Sequence, residues 1–327
     1  MVTEFSFDTD FFDSKALNTV GLSITHDSIL QMWRDHGVLI LPPGKLDAFR
    51  GLVKKLPVKY HQRWMHALET YRKIILEDEW SNFSEYENFE AVTKLCGFFK
   101  TGLAEDDIGK IISGSDDAAV FCSKTGFELL GAGAASESVN FRSSRDAGAA
   151  AIAHGMCAQD IWSEKIAPLA KYSKNITIID RYLFTRIRDA LGRGSIDSGA
   201  LGFIKMLSNI DKKFCVKIIS GGDIKGSDAY HEVINYFVKH VVSSAPLSKV
   251  LDSLALVSNH DDFFRDYAHE RFVRFDNHVC EIGVGMQVFE GYPSPMTNFS
   301  LRHISDTVFP NRESISSKNI LWREYLV

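Results

Sequence analysis

The sequence predicts an α/β protein of two domains, and three features indicate this class. Short apolar, β-branched segments, such as 175–184 and 214–222, alternate with longer segments of helical spacing. This alternation is typical of a sheet with helices packed against it. The 327 residues, 45% hydrophobic and 24% charged, are enough for two cores of ordinary size. A polar Ser-Lys-Asn segment at 173–175 marks a boundary, so we expect domains 1–172 and 173–327.

The first domain is expected to mix helices and strands. The apolar run at 36–43 is closed by two prolines, which is typical of a buried strand, and glycine and serine are dense between 131 and 148. The predicted elements, in order, are a strand at 36–43, helices at 46–54 and 60–79, strands at 116–123 and 127–133, and a helix at 152–172.

The second domain has a sharper pattern. Its β-branched runs predict strands, and its amphipathic runs predict helices against them. The predicted elements are a strand at 175–184, a helix at 185–209 that loosens around 192–199, a strand at 214–222, a helix at 230–242, a strand at 254–258, and a hairpin of 271–275 and 279–283.

Charge, cysteine usage and hydropathy limit the function classes. The net charge of −5 gives no overall nucleic-acid footprint, so any anion site must be local. The five cysteines are scattered without CxxC spacing, so we expect reduced thiols in a cytoplasmic protein and no metal site. The acidic N-terminal segment lacks a signal-peptide pattern, and no run reaches the roughly 18–20 apolar residues of a transmembrane helix.

Two weaker patterns lie in the first domain. Glycine-rich residues 131–138 are similar to a phosphate loop but lack the Gly-Lys-Ser/Thr ending, which favours a tight turn. Several carboxylates give a less favoured alternative, a magnesium cluster, although acidic pairs in loops are usually only solvated. These carboxylates are Asp106, Asp107, Asp116, Asp117, Glu128 and Glu137.

The strongest chemical pattern is the spacing of His269, Arg271 and Asp276 before the predicted hairpin turn. On a strand, His269 and Arg271 point to the same face and form a compact group of donors for phosphate. Asp276 is expected to orient the imidazole of His269, as carboxylates do in catalytic pairs. We therefore expect the three side chains to lie within reach of one another or of one bound anion. A surface ion network is the alternative interpretation.

This spacing resembles the HxKx4D signature of the phospholipase D superfamily, with Arg271 in place of lysine. Gly283 stands at the family's glycine, but Val284 replaces its serine. The run from His269 to Gly291 is similar to the C-terminal domain of MIT-domain-containing proteins. The upstream Ile-Ile-Asp-Arg-Tyr-Leu run is also similar to that family's strand, with arginine in place of proline. The resemblance implies a phospholipase D-like C-terminal lobe and adds ligand-binding candidates at Asp180, Arg181, Asn277, Gly283 and Gly285.

The resemblance implies recognition of a phosphate-containing ligand, either nucleic acid or a phospholipid head group, without a cofactor. One alternative is a metal-independent phosphodiesterase or nuclease that uses His269 as nucleophile. Another is a non-enzymatic assembly protein. Because the motif occurs once, we expect a homodimer that pairs two such domains. A role in bacterial defence or as a toxin is suggested by analogy alone.

Overall fold

The computed structural model describes residues 1–19, 23–107, 123–268 and 271–327. The chain is a mixed α/β protein that divides into two compact units, Met1–Asp146 and Ala147–Val327. Among the helices of the described ranges, none combines the length and apolar character needed to span a membrane.

The first unit is built on a five-stranded sheet in the order β3-β2-β1-β4-β5. All four strand pairs are parallel. The strands are β1 Thr3–Phe7, β2 Gly37–Leu41, β3 Lys73–Ile75, β4 Thr101–Ala104 and β5 Glu128–Gly131. Because strands in such a sheet are covered on both faces, β2 reads as a continuous apolar run, and all five of its residues are buried.

Helices connect these strands and supply much of the aromatic core. The Phe7 ring of β1 makes edge-to-face contacts with the rings of Trp33, Phe49 and Trp64, all of them buried. The helices of this part of the chain are Lys15–Asn18, Ser23–His36, Lys45–Val53, Val58–Thr70, Phe89–Thr93 and Val139–Ala149.

The second unit is built on a seven-stranded mixed sheet in the order β11-β10-β9-β6-β7-β8-β12. Strands β6, β7 and β8 are parallel, whereas β9 is antiparallel to both β6 and β10. The strands are β6 Asn175–Ile179, β7 Phe214–Gly221, β8 Leu251–Asn259, β9 Phe272–Phe275, β10 His278–Ile282, β11 Phe299–His303 and β12 Ile320–Tyr325.

One helix of the second unit lies unusually close to backbone. A Cβ added at Gly199 or Gly202 would be 2.0 Å from the carbonyl oxygen of Met286 or Phe289, so the helix Gly199–Leu207 packs directly on the 3-10 turn Gly285–Phe289. The helices of the unit are Ala158–Ile161, Ala167–Ala170, Leu183–Gly192, Gly199–Leu207, Asp228–Phe237, Ala245–Ser248, Asp261–Tyr267 and Phe309–Ser316.

Most predicted elements of the second unit are confirmed, including the hairpin of β9 and β10 and the helix break between Gly192 and Gly199. In the first unit, the helix expected at 60–79 ends at Thr70. The chain then enters β3, because the Arg72 carbonyl accepts hydrogen bonds from the Trp33 side chain and from the β2 backbone. The strand expected at 116–123 lies almost wholly outside the described residues.

The division between units also differs from the boundary expected at 172–173. The residues from Ala147 onward belong to the second unit because they pair and pack within it. Ile152 forms a β-bridge with Thr297, and the Trp162 ring contacts the Phe203 ring at a centroid distance of 5.9 Å. The polar segment at 173–175 is therefore a helix-to-strand connection inside the second unit.

Candidate functional site

Three strand ends of the second unit meet at one edge of the sheet. Strands β6 and β10 run toward this edge and β9 starts from it, because β9 is antiparallel to both neighbours. The residue after β6, the residue before β9 and the first glycine after β10 are therefore close in space. These residues are Asp180, Arg271 and Gly283.

Asp180 is the buried carboxylate of this edge, with 2% of its surface exposed. Its Oδ1 accepts a hydrogen bond from the backbone N–H of Tyr182 at 3.0 Å, and its Oδ2 accepts one from the N–H of Met286 at 2.9 Å. Burial raises the pKa of the Asp180 carboxyl, and these two N–H groups and the charges of Arg271 and Arg186 oppose that rise. The carboxylate thus ties the end of β6 to the turn after β10.

Arg271 lies against Asp180 and is held on three sides. Its Nε is 3.7 Å from Asp180 Oδ1, its Nη1 donates to the Gly283 carbonyl, and its guanidinium carbon lies 5.2 Å from the centre of the Tyr182 ring. The side chain is 22% exposed, and Nη2 has no hydrogen-bond partner among the residues that the structure describes. This fixed guanidinium edge is suited to an oxyanion, which arginine binds through paired N–H donors.

Gly285 allows the turn after β10 to close over this pair. Its φ is +64°, and an added Cβ would lie 2.2 Å from Asp180 Oδ2 and 2.4 Å from Arg271 Cδ. Gly283 contributes its carbonyl oxygen to Arg271. Two of the predicted ligand-binding glycines therefore belong to the site, where they position the arginine.

Arg181 lies at the same edge but is paired with a different carboxylate. Its Nη2 and Nε donate to Asp261 at 3.0 and 3.3 Å, and the side chain is 28% exposed. Its guanidinium carbon also lies 5.3 Å from the centre of the Tyr182 ring, so this exposed tyrosine contacts two arginines. Arg181 adds positive charge near the site, but Asp261 neutralises much of it.

Asp276 and Asn277 lie at the opposite end of strands β9 and β10, away from Arg271. They form the turn between β9 and β10, so the whole of β9, roughly 16 Å for five residues, separates Asp276 from Arg271. Asp276 accepts hydrogen bonds from the backbone N–H of Lys174 and Asn175 at 2.9 and 3.0 Å, and from Asn175 Nδ2 at 2.9 Å. The expected contact of Asp276 with Arg271 does not form, and Asp180 occupies that place.

Asp276 should therefore act on stability and not on ligand binding. It holds the start of β6 and adopts a left-handed φ of +46°. Losing its acceptors should cost about 2–3 kcal/mol in Asp276→Ala, measured by urea unfolding. Asp262→Ala, which breaks a surface ion pair, should cost less than about 1 kcal/mol. If Asp276→Ala kept its stability but no longer bound phosphate, Asp276 would have to be counted among the ligand-binding residues.

His269 lies outside the described residues, two positions before Arg271. The site also contains groups that the sequence did not single out, namely the Tyr182 ring, the Met286 N–H and Arg186. Arg186 Nη1 is 3.4 Å from Glu290 Oε1. Tyr182 falls within the run that resembles the MIT-type strand, which is the signal that could have identified it.

Two carboxylates of the alternative magnesium cluster, Glu128 and Asp106, are bonded to other groups. Glu128 accepts hydrogen bonds from Thr101, Ser138 and the helix N-terminus at Val139, and Asp106 accepts one from Gly133 N–H at 2.7 Å. Asp116 and Asp117 lie outside the described residues. Within the described ranges, no group of three His, Cys, Asp or Glu side chains is arranged to hold a metal ion.

Comparisons with known proteins give little. No protein-family model and no curated protein matches the chain. Among solved structures it is similar to TrmBL2, an archaeal chromatin protein described as showing a novel mode of DNA binding. The identity is 12%, the TM-score is 0.23, and the match covers 53% of this chain and 54% of that one, about half its length. A likeness of this size assigns neither fold nor function.

Proposed function

We propose that the second unit binds the phosphate or phosphodiester group of a ligand at the edge where β6 ends, with Arg271 as its main contact. The observation that carries this proposal is the guanidinium held by Asp180, the Gly283 carbonyl and the Tyr182 ring, with Nη2 directed to no described acceptor. A guanidinium held in this way loses little conformational freedom when it binds an oxyanion.

Two further features support the proposal. Ligands of open α/β sheets bind beyond the carboxyl ends of parallel strands, and Asp180 directly follows the end of β6. His269, two residues before Arg271 in the sequence, is included in this proposal as a second donor because of the motif spacing alone. The phospholipase D-like resemblance implies the same ligand chemistry and includes His269, Arg271 and Asp180, whereas its signature residue Asp276 lies at the other end of β9.

The test is a binding measurement with a matched arginine control. Fluorescence anisotropy with a labelled single-stranded oligonucleotide, and flotation with vesicles containing phosphoinositides, cover the two ligand sources. Arg271→Ala should weaken binding about 10- to 100-fold, because a hydrogen bond to a charged group contributes about 1.5–3 kcal/mol. Arg302→Ala removes a 54%-exposed arginine from the edge strand β11 and should leave affinity unchanged. Equal losses in both variants would indicate non-specific charge and contradict the proposal.

Adding the His269→Ala variant to this set distinguishes ligand binding from phosphodiester hydrolysis. If the site hydrolyses phosphodiesters, cleavage of bis-(p-nitrophenyl) phosphate should continue in the presence of EDTA. His269→Ala should then lower the cleavage rate by several orders of magnitude. Binding without turnover, lost only in Arg271→Ala, supports the non-enzymatic form of the proposal. Activity that disappears with EDTA and persists in His269→Ala would place the reaction elsewhere.

A further inference from the structure

The central strand of the first unit ends at a second position suited to a ligand. Strand β1 lies between β2 and β4, so the strand order reverses at β1, and ligands of open α/β sheets bind beyond the carboxyl ends of strands at such a point. Asp8 and Thr9 directly follow β1, and Lys45 begins the helix that follows β2.

Asp8 has one carboxylate oxygen in use and one without a partner. Its Oδ1 accepts hydrogen bonds from the N–H groups of Thr9 and Phe83 at 2.9 and 3.1 Å. Its Oδ2 is buried and has no hydrogen-bond partner in the part of the chain that the structure describes, and the residue is only 2% exposed. A buried carboxylate oxygen without a hydrogen bond is energetically costly. A donor other than the described residues, such as a ligand, would remove this cost.

Lys45 brings a positive charge to the same edge. Its Nζ donates to Thr9 Oγ1 at 2.6 Å and to Asn82 Oδ1 at 3.2 Å, and Thr9 Oγ1 donates to the same Asn82 oxygen at 2.6 Å. These two contacts use two of the three ammonium hydrogens. Lys45 is half-buried and is not hydrogen-bonded to Asp8, so its charge is available to an anion.

The charge state of Asp8 fits this arrangement. Burial, with a smaller contribution from the nearby Asp10, raises the pKa of the Asp8 carboxyl to about 6, against the opposing effect of the two backbone hydrogen bonds and of Lys45. Near neutral pH the carboxyl is therefore mainly ionised, and its free oxygen accepts hydrogen bonds.

We propose that the edge formed by Asp8, Thr9 and Lys45 binds a small organic anion that also carries a hydroxyl or amino group, such as a sugar phosphate or a hydroxy acid. Lys45 takes the anionic group, and Asp8 Oδ2 accepts the hydrogen bond from the hydroxyl or amine. Oδ2 is buried, so a ligand can reach it only if the segment at Asn82 and Phe83, which is hydrogen-bonded to Lys45 and Asp8, moves aside. This site is independent of the phosphate site at Arg271.

The test is calorimetric titration of the full chain with ribose 5-phosphate and with gluconate, both in an Arg271→Ala background. That background removes the other site, so the two proposals fail separately. One probe should bind saturably, and its identity names the anion. Asp8→Asn and Lys45→Met should each weaken binding at least tenfold. Absence of binding by both probes, or equal binding by the variants, would overturn the proposal and leave Asp8 as a structural group.

The melting temperature of Asp8→Asn shows whether this variant is folded, which is the control for the binding experiment. The folded pKa of Asp8 lies above its unfolded value, so the folded state loses stability as pH rises from about 4 to about 6. Asparagine does not ionise, so Asp8→Asn should raise the melting temperature of the ligand-free protein, and more at pH 7.5 than at pH 5. A variant that is more stable yet does not bind shows that the carboxylate serves a ligand; a variant that melts lower at pH 7.5 contradicts that interpretation.

Discussion

Gly285→Ala should destabilise the second unit by about 2–4 kcal/mol and abolish the proposed phosphate binding. The added methyl group would lie 2.2 Å from Asp180 Oδ2 and 2.4 Å from Arg271 Cδ, so both site residues must move. The left-handed φ of +64° adds about 1–2 kcal/mol for a residue with a Cβ. Urea unfolding measures the first effect, and oligonucleotide or vesicle binding measures the second.

Gly291→Ala is the matched control for backbone strain. Gly291 has a φ of +83°, but an added Cβ would meet no atom within 4 Å. This variant should lose only the conformational term of about 1–2 kcal/mol and keep its phosphate affinity. If both glycine variants bind phosphate equally well, Gly285 does not position Arg271, and the proposed site loses its main structural support.

Gly202→Ala should cause the largest loss of stability, more than about 3 kcal/mol. Its Cβ would lie 2.0 Å from the carbonyl oxygen of Phe289, and backbone cannot rotate away as a side chain can. The helix Gly199–Leu207 must separate from the turn Gly285–Phe289, which also draws the Met286 N–H away from Asp180. Thermal and urea unfolding should both show the effect.

The control for Gly202→Ala is Gly192→Ala, at the end of a neighbouring helix. An added Cβ there meets no atom within 4 Å, and its φ is not in the left-handed region. Alanine should leave stability unchanged or raise it by up to about 1 kcal/mol, because it restricts the unfolded chain. Similar losses in both variants would mean that the close contact of Gly202 has little effect on stability.

Much of the fold could be predicted because seven of the strands, β2 and β5 to β10, are short apolar or β-branched runs in the sequence. The β-branched run of β6 and the apolar run of β7 are buried sheet strands, and the segments between them have helical spacing. Strand β1 was missed, since Thr3–Phe7 is short and acidic residues surround it. Asp8 directly follows this strand, and its surroundings depend on the Phe83 N–H and on the charge of Lys45, which are distant in sequence and which no local pattern reveals.

The site was predicted in part, and the error has a simple cause. Sequence spacing placed Asp276 near Arg271, yet on an extended strand five residues separate the two ends of β9. The carboxylate that contacts Arg271 is Asp180, which reaches it only because β6 pairs with β9. Such a pairing between distant segments is invisible to spacing, whereas the family resemblance did include Asp180 among the ligand-binding candidates.

The position of β6 has a consequence for how the protein is made. Strand β6 pairs on one side with β7, but its other side stays open until Phe272–Phe275 has been synthesised, late in the second unit. Until then, the apolar edge of Ile176–Ile179 exposes unpaired backbone groups, which can pair with another chain. Arrival of β9 closes this edge and brings Arg271 to Asp180 in the same step. We therefore expect a chain that stops before Phe272 to aggregate and to lack the proposed phosphate site altogether.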